Sequence, residues 1–463
     1  MPSSLAQDLV NAALAHHRAG RLDDAERMYR EVLEVDPNHA DATHLLGMIA
    51  FQTGRLDLAV EMIRRAIAVH PTAASYHSNL GNVLQAQHKL DEAAASYRQA
   101  LTLRPGLPET HVNLGNVLRE LGDVDGALAA FRRAIALKPD LAEAHVAEST
   151  TLLLQGDFAA GWPNFELRWR TQDYDTPMRT YPQPYWNGEP LASGRLLIWG
   201  EQGIGDEIMF AGLIPDLLRT QTRLALECDR RLAPLFARSF PSVRVISAYD
   251  PLEDADLEIV AHLPSGSLPR FFRSNRAAFD ATTSPYLIAD TIEREKFRNR
   301  YTDGGPLIGI AWHTRNAKSG CKRSIDLATL APLFKDARLK WVSLQYGDHA
   351  ELEAQAGEAG APLVIDRDVD QLQDMDRFAA QVAAMDLVIA IDNSTAHLAA
   401  ALGLPTWLLL PFAPDWRWML DTDASPWYPT MHIFRQPRLG DWGSVVRDVR
   451  AALADHIASA SEK

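Results

Sequence analysis

Two stretches with nearly the same pattern decide the fold of the first third of this chain. They are NLGNVLQAQHKLDEAAASYRQALTLRPG at residues 79–106 and NLGNVLRELGDVDGALAAFRRAIALKPD at residues 113–140, which begin 34 residues apart. The same spacing continues in both directions along the chain, and it places prolines at Pro37, Pro71, Pro105 and Pro139. A fixed period of this length indicates a repeat array, in which stacked units share a continuous core.

Three further columns of residues keep the same register. They are the glycines Gly20, Gly54, Gly122 and Gly156 with His88 in the third unit, the alanines Ala25, Ala59, Ala93 and Ala127, and the large residues Tyr29, Ile63, Tyr97, Phe131 and Phe165. These anchors are the tetratricopeptide signature, in which each unit is a helix hairpin. Proline ends the second helix because it cannot continue the hydrogen-bond ladder. We predict four full repeats over about residues 6–141 and a degenerate fifth unit, so that the array occupies residues 1–170.

The first helices of two repeats carry paired asparagines that are candidates for partner binding. They are Asn79, Asn82, Asn113 and Asn116. An asparagine amide both donates and accepts hydrogen bonds, so a row of them can hold a peptide backbone without reading its side chains. The alternative is that they pack between helices, which agrees with their replacement in neighbouring units by Leu45 and Ala147.

The pattern changes after a proline-rich linker at residues 171–194, where short apolar runs begin to alternate with helical stretches. The predicted strands are 195–200, 222–228, 243–247, 257–262, 306–313, 339–346, 362–366, 386–392 and 405–411. Near-continuous apolar strands between helices indicate parallel sheets that are covered on both faces. The fold class is therefore α plus α/β, with a helical solenoid followed by two doubly wound domains at residues 195–300 and 301–463.

Composition narrows the class of protein. The chain has 463 residues and a formal net charge of −14, which disfavours general nucleic-acid binding because phosphate contacts need a basic surface. Its two cysteines, Cys228 and Cys321, exclude a disulfide framework and suit a reducing compartment. No apolar run is long enough for a transmembrane helix, and the N-terminus lacks a signal-peptide pattern. We expect a cytoplasmic protein without a transmembrane segment.

A glycine-rich turn, GEQGIGDE, follows the strand at residues 195–200. Gly203 and Gly205 allow another molecule to approach the backbone closely, and a helix begins near Asp206. Asp206 is either the N-cap of that helix or a base that faces the cleft. The flanking acidic residues Glu201 and Glu207 favour the second interpretation. The glycine spacing does not match a dinucleotide fingerprint.

A basic loop follows the strand at residues 306–313. Its charged residues are His313, Arg315, Lys318, Lys322 and Arg323. In an acidic chain such a cluster forms a local anion site, and its cations can neutralise a diphosphate leaving group. The alternative is a solvated surface loop.

A third candidate is DLVIAIDNSTAHLAAALGLP at residues 386–405. A buried strand ends at Asp392, and Ser394 or Thr395 is expected to cap the small-residue helix that follows. Free N–H groups and the positive end of a helix dipole form a phosphate site. A histidine in the first turn opposes the dipole, so His397 favours ligand binding over a purely structural role. The residues assigned to this site are Asp392, Asn393, Ser394, Thr395 and His397, with Gln345 from the end of another predicted strand.

A fourth candidate, LPFAPDWRWMLD at residues 410–421, places Asp415, Trp416, Arg417 and Trp418 just after a strand. Its aromatic residues either line a sugar or base pocket or serve packing between domains. Scattered acidic pairs occur at Asp366/Asp368, Asp374/Asp376 and Asp421/Asp423. They lack a third ligand, so we predict no metal site.

Taken together, EQGIGDE after a strand, K-R-S-I in the basic loop and DNSTAHLAAALGLP resemble bacterial tetratricopeptide proteins fused to a glycosyltransferase domain. That domain is similar to the lipopolysaccharide heptosyltransferases, which have a GT-B fold of two Rossmann-like halves. The layout also resembles the O-linked N-acetylglucosamine transferases. The resemblance implies an acceptor half at residues 195–300 and a donor half at residues 301–463. It also implies that Asp206 is the catalytic base, that Lys322 contacts the donor phosphates, and that the segment from Asp392 to His397 binds the donor.

The expected activity is an inverting, metal-independent transfer of a sugar from a nucleotide-diphosphate sugar to a protein or peptide engaged by the array. Asp206 removes the acceptor proton, while Lys322 and Arg323 stabilise the leaving diphosphate. The other residues assigned to donor binding by these motifs are Gly203, Gly205, His313 and Arg315. No cofactor beyond the donor substrate is expected. Two alternatives are a scaffold with a degenerate α/β part and a nucleotide-sugar epimerase.

Overall fold

The computed structural model describes residues 2–172, 174, 176–221, 223–248, 258–302, 304–316 and 320–461, with side chains from residue 6 to residue 456 in those ranges. The chain divides into two compact units, Met1–Thr151 and Leu152–Lys463. Within the described residues, no helix has both the length and the apolar character that crossing a bilayer requires.

The first unit is the predicted helical array. Its helices are α1 (Pro2–Arg18), α2 (Leu22–Val35), α3 (Ala40–Gln52), α4 (Leu56–Val69), α5 (Ala74–Ala86), α6 (Leu90–Leu103), α7 (Pro108–Glu120), α8 (Val124–Leu137) and α9 (Ala142–Gln155), the last of which continues into the second unit. The helices α2, α4, α6 and α8 each end two residues before one of the four periodic prolines. This outcome confirms the predicted helix hairpins.

The repeat columns form the core of the array. The four alanines and the first four large residues of the sequence columns are all fully buried. Glycine at the helix contact is a steric requirement, since a Cβ on Gly115 would lie 2.4 Å from the Phe131 ring and one on Gly81 would lie 2.5 Å from the Tyr97 ring. His88, which replaces a turn glycine, adopts the left-handed φ of +59°.

After the end of α9, the second unit continues with α10 (Phe158–Phe165) and a 3₁₀ turn at Glu166–Arg170. The Trp162 indole donates a hydrogen bond of 2.7 Å to the carbonyl of Arg273, and the Trp169 and Trp199 rings lie 5.3 Å apart. The sequence placed the end of the array at residue 170, whereas the compact division falls at residue 151. The physical reason is that the aromatic residues of α10 are buried in the core of the α/β unit.

Among the residues that the structure describes, the first sheet of this unit has four parallel strands in the order β3-β2-β1-β4. The strands are β1 (Arg195–Trp199), β2 (Leu224–Cys228), β3 (Arg244–Ser247) and β4 (Ile259–Pro264). The helices in this part of the chain are α11 (Ile204–Ala211), α12 (Ile214–Leu218), α13 (Ala233–Ser239), α14 (Pro269–Phe272) and α15 (Thr291–Tyr301).

The second sheet, within the described ranges, has six parallel strands in the order β10-β9-β8-β5-β6-β7. The strands are β5 (Leu307–Ala311), β6 (Lys340–Ser343), β7 (Leu363–Val364), β8 (Leu387–Ile391), β9 (Thr406–Leu410) and β10 (Met431–Arg435). The helices are α16 (Gly320–Arg323), α17 (Leu327–Leu330), α18 (His349–Ala359), α19 (Met375–Ala383), α20 (Ser394–Ala401) and α21 (Trp442–Ser461).

This order is that of a doubly wound sheet. Strands are added outward from β5 to β7 on one side and from β8 to β10 on the other, so the strand order reverses between the adjacent strands β5 and β8. Ligands of such sheets bind beyond the carboxyl ends of the strands at that reversal. Each of the nine predicted strands is present, and the parallel sheets are confirmed. The sequence missed β10, since this edge strand exposes His432 and so lacks a continuous apolar run.

Candidate functional site

Two helix N-termini from different sheets meet beyond the strand ends. After β1 the chain turns through Gly203 into α11, and after β8 it enters α20 almost at once. A Cβ on Gly205 would lie 3.1 Å from Cδ2 of His397 and 3.6 Å from Cα of Ser394. The close approach predicted at Gly205 is made by α20 itself, while a contact of Gly205 with a ligand stays a prediction. Gly203 is the N-cap residue of α11 and is exposed.

Asp206 lies in the first turn of α11 and is not its N-cap. Its carboxylate accepts a hydrogen bond of 3.2 Å from the Gly203 amide and forms an ion pair with Arg417. Burial raises the pKa of Asp206, while the Arg417 guanidinium opposes that rise. The carboxyl group is thus a stronger base than an exposed aspartate, and it stays partly accessible with 20% of its side chain exposed.

The acidic cluster expected around Asp206 is divided by the fold. Glu201 is buried and accepts hydrogen bonds from Nη2 and Nε of the Arg168 guanidinium at 2.7 and 2.8 Å, so it does not face the cleft. Glu207 accepts a 2.8 Å hydrogen bond from the amide of Asp229. Only Asp206 of the three takes part in the charge cluster described next.

Arg417 is a central residue of the charge cluster, which the sequence alone did not indicate. Besides Asp206, its guanidinium pairs with Asp415 at 2.5 Å and donates to the Gln202 side chain at 3.2 Å. It also lies 4.6 Å from the centre of the Trp416 ring. The available signal was its position directly after strand β9, but the surrounding tryptophans fitted packing equally well.

The basic loop contributes Arg323 to the same cluster. Its guanidinium pairs with Asp392 at 2.8 Å. Burial raises the pKa of Asp392, and Arg323 opposes the rise. Arg323 therefore already has a carboxylate partner in the chain, which differs from the free phosphate ligand that the sequence predicted.

The other cations of the loop have different surroundings. Lys322 is half-buried on α16, and the side chains of His313 and Arg315 are exposed. The Arg315 guanidinium lies 5.8 Å from the centre of the Tyr346 ring. Lys318 lies outside the described residues. The assignment of Lys322, His313 and Arg315 to ligand binding stays a prediction.

The side chain of Gln345 holds the backbone at the start of the basic loop in place. Its Oε1 accepts hydrogen bonds from the amides of Trp312 and His313 at 2.9 and 2.8 Å. Its Nε2 donates to the carbonyls of His313 and Tyr346 at 3.1 and 3.0 Å. The amide is 1% exposed and its four hydrogen-bonding positions are used. Gln345 therefore holds the backbone of His313, and its assignment as a direct donor contact stays a prediction.

The cap of α20 also differs from the prediction. Asn393, and neither Ser394 nor Thr395, is the N-cap, and its side-chain oxygen accepts from the amides of Thr395 and Ala396 at 3.1 and 3.2 Å. The carboxamide competes with any phosphate for those two amides. Asparagine is among the residues that helices prefer at this position.

The conflict between His397 and the helix dipole disappears in the folded chain. Burial, with Arg417 adding to the effect, lowers the pKa of His397 to about 3. The ring is therefore neutral at physiological pH, and it hydrogen-bonds through Nδ1 to the Tyr428 hydroxyl at 2.8 Å. A neutral imidazole does not oppose the dipole.

The site thus collects three carboxylates and two guanidinium groups around two helix N-termini. They are Asp206, Asp392, Asp415, Arg323 and Arg417. Two buried donors, Nδ2 of Asn393 and Nε of Arg417, have no hydrogen-bond partner among the residues that the structure describes. Buried donors are normally satisfied, so this arrangement suits a water or a ligand that brings acceptor oxygens. In the part of the chain described, His, Cys, Asp and Glu residues form no group of three placed to hold a metal ion.

The asparagines of the array are half-buried and bonded to neighbouring side chains. Asn79 bonds His44 at 2.9 Å, and Asn113 donates to Asn82 at 2.9 Å. Asn116 accepts a hydrogen bond of 3.3 Å from Arg119. These contacts agree with the packing interpretation, while partner binding by the same residues stays a prediction.

Comparison with known proteins identifies the array. Models of the tetratricopeptide-repeat family match residues 10–74 and 71–140. The first unit therefore consists of tetratricopeptide repeats, which suggest a protein-interaction scaffold.

One relative is similar beyond the array. Protein FlbA of Caulobacter vibrioides is 32% identical over 344 residues, which cover 68% of this chain and 55% of FlbA. The chain thus spans about half the length of this relative. Because 68% of the chain is more than the array, the similarity includes part of the α/β unit.

Solved structures of several repeat proteins match about a third of the chain. MamA is 22% identical, with 34% of this chain and 91% of that chain covered and a TM-score of 0.32. The pilF protein of Pseudomonas aeruginosa is 23% identical, with coverages of 36% and 76% and a TM-score of 0.34. YrrB, a TPR protein described as having an unusual peptide-binding site, is 21% identical, with coverages of 34% and 82% and a TM-score of 0.31.

Proposed function

We propose that the α/β unit is a glycosyltransferase that moves a sugar from a nucleotide-diphosphate sugar to an acceptor, and that the repeats hold a protein or peptide acceptor. The observation that carries the proposal is the meeting of α11 and α20 around the cluster of Asp206, Arg417, Asp392 and Arg323. The resemblance of the motifs at these positions to GT-B glycosyltransferases supports it.

Asp206 is the proposed base. Two hydrogen-bonding positions of its carboxylate are used by Gly203 and Arg417, and a carboxylate has about four. The remaining capacity is available to an acceptor hydroxyl. Its raised pKa brings the group closer to working pH, where general bases act best.

The proposed reaction is a single displacement. Asp206 takes the proton of the acceptor hydroxyl, the acceptor oxygen forms a bond to the anomeric carbon, and the bond from that carbon to the diphosphate oxygen breaks. The diphosphate leaves with the electron pair, and Lys322 and Arg323 offset its charge. This course inverts the configuration at the anomeric carbon.

The first measurement is thermal stabilisation of the full chain by UDP, GDP, ADP and their glucose conjugates, with and without EDTA. A ligand that binds only the folded state raises the melting temperature. Selective stabilisation by one nucleotide that is insensitive to EDTA is the expected result. A chain that responds to none of the six compounds contradicts this donor class.

Asp206→Asn then tests the base. The substitution keeps an acceptor oxygen for the Gly203 amide but removes the basic group, so turnover should fall roughly 10²–10⁴-fold with nucleotide affinity nearly unchanged. Asp423→Asn, at an exposed side chain, is the matched control and should keep full turnover. Undiminished transfer by the Asp206 variant would sink the assignment.

A scaffold without turnover is the second candidate. The favouring observation is that Asp206 and Asp392 are both paired with arginines of the same chain. In that case the ion pairs stabilise the α/β unit, and Asp206→Asn should lower the melting temperature while no nucleotide sugar is consumed by the unsubstituted chain. Consumption of donor without any acceptor would instead indicate an epimerase.

A further inference from the structure

His397 is held by aromatic residues on two sides. Its ring centre lies 5.0 Å from that of Trp418, and its Nδ1 lies 2.8 Å from the Tyr428 hydroxyl oxygen. The residue is 4% exposed. The ring orientation is therefore fixed by packing and by one hydrogen bond, and only the position of the ring proton is left to decide.

A chain of hydroxyl groups decides that position. Tyr286 donates its phenolic hydrogen to the carbonyl of Ile208 at 2.8 Å, and a carbonyl oxygen can only accept. Tyr286 has no second hydrogen, so Tyr428 must be the donor in the hydrogen bond between the two phenols. Because the hydroxyl hydrogen of Tyr428 is already donated to Tyr286, its oxygen can only accept a hydrogen bond from Nδ1 of His397. The ring proton therefore lies on Nδ1.

The other ring nitrogen faces the meeting of the two helices. The Cδ2–Nε2 edge of His397 lies beside Gly205, since a Cβ there would be 3.1 Å from Cδ2 and 3.7 Å from Nε2. Nε2 forms no hydrogen bond with any residue that the structure describes. With the proton on Nδ1, Nε2 carries a lone pair and can accept a hydrogen bond.

We propose that Tyr286 and Tyr428 are positioning residues, which fix the Nδ1–H tautomer of His397 so that Nε2 accepts a hydrogen bond from a hydroxyl group of the transferred sugar. The inference rests on the proposed function for the identity of that hydroxyl. A phosphate oxygen is itself an acceptor and gains nothing from a lone pair, so Nε2 selects the sugar over the diphosphate. The low pKa of His397 keeps this acceptor neutral across physiological pH.

The first test reads the tautomer directly. Long-range ¹⁵N–¹H correlation spectra of the full chain labelled in histidine distinguish protonated from unprotonated ring nitrogens, and His397→Gln identifies the signal among the 15 histidines. The expected spectrum at pH 7 has a protonated Nδ1 and an unprotonated Nε2. Tyr428→Phe and Tyr286→Phe should each move the ring towards a mixture or the opposite tautomer. A protonated Nε2 in the unsubstituted chain overturns the inference.

The matched control is Tyr301→Phe. Tyr301 is also a buried tyrosine whose hydroxyl is hydrogen-bonded, to Asp366 at 2.5 Å. It removes the same atom from another part of the unit, so it should leave the His397 tautomer unchanged. A change of similar size in this control would mean that any lost phenol disturbs the ring, which overturns the specific role of Tyr428.

The second test concerns the ligand. Dissociation constants are measured for UDP, GDP and ADP and for the glucose conjugate of each. Tyr428→Phe should weaken the conjugate that binds best about 10-fold, the cost of one hydrogen bond, and leave the matching diphosphate unchanged. Equal weakening of both, or of neither, overturns the sugar contact. If none of the probes binds the unsubstituted chain, the proposed function and the sugar contact both fail, while the spectra still decide the tautomer.

Discussion

Glu207 shows how strongly its surroundings set the chemistry of a single side chain. It lies next to Asp206 on α11, yet its carboxylate accepts a hydrogen bond from the amide of Asp229, whereas that of Asp206 pairs with Arg417. Burial raises the pKa of Glu207 to about 8, and the acidic neighbours Asp229 and Asp206 add to the effect. The pKa values of the adjacent Asp206 and Glu207 are thus set by different neighbours, an arginine beside the first and further acidic groups beside the second.

This difference predicts a pH dependence of stability. An acid whose pKa rises on folding binds more protons in the folded state, so its contribution is complete below the unfolded pKa near 4.5 and is lost as pH rises to about 8. Glu207→Gln should remove that decline, and the stability of the variant relative to the unsubstituted chain should increase by a few kcal/mol at most between these pH values. Denaturant titrations at a series of pH values measure it.

The control for this prediction is Glu189→Gln, at an exposed side chain. It should leave the pH profile of the unfolding free energy unaltered. A Glu207→Gln chain whose profile runs parallel to that of the unsubstituted chain would contradict the raised pKa.

At the scale of one helix hairpin, His88 is the exception that tests the repeat. The turn between α5 and α6 places it at a φ of +59°, where three of the other repeats have glycine at φ between +74° and +83°. The left-handed conformation costs a residue with a side chain roughly 1–2 kcal/mol. Glycine meets the same geometry without that cost, although its greater freedom in the unfolded chain offsets part of the gain.

His88→Gly should therefore stabilise the array by roughly 0.5–1 kcal/mol. Chemical denaturation followed by circular dichroism measures the change. Ala86→Gly, at the last residue of α5, is the control and should destabilise by a similar amount because glycine is unfavourable in a helix. A loss of stability in both variants would show that the side chain of His88 contributes more than its backbone costs.

At the scale of the whole molecule, the chain is two compact units with separate kinds of core. The array buries small and aromatic residues between helices, and the α/β unit buries apolar strands under helices. Each unit has its own core, so we expect each to have its own thermal transition.

Phe131→Ala and Phe236→Ala test this division. Phe131 is fully buried in the array and Phe236 is 1% exposed in the α/β unit. Each truncation should cost about 3–5 kcal/mol, and scanning calorimetry should show a lower transition temperature in one unit only. A bound nucleotide should raise the temperature of the same transition that Phe236→Ala lowers. A single transition that both substitutions lower would contradict two independent units.

The sequence by itself determined the array, the parallel strands and the places where the chain turns at strand ends. These features depend on local rules: a period of 34, a proline after each second helix, and apolar runs between helices. Such signals depend on the spacing and type of residues along the chain, so they can be recognised before the tertiary structure is known.

Only the tertiary structure decided which side chains meet at the candidate site. Arg417 and Asp206 are 211 residues apart in the chain, and the relay joins His397 to Tyr428, 31 residues away, and to Tyr286, which precedes both on another segment. Nothing in the local sequence indicates that Gln345 holds the backbone of His313, or distinguishes Asn393 from Ser394 as the cap. Those outcomes depend on burial and on partners brought by distant segments, because hydrogen bonds and pKa values follow the surroundings of a group more than its neighbours in sequence.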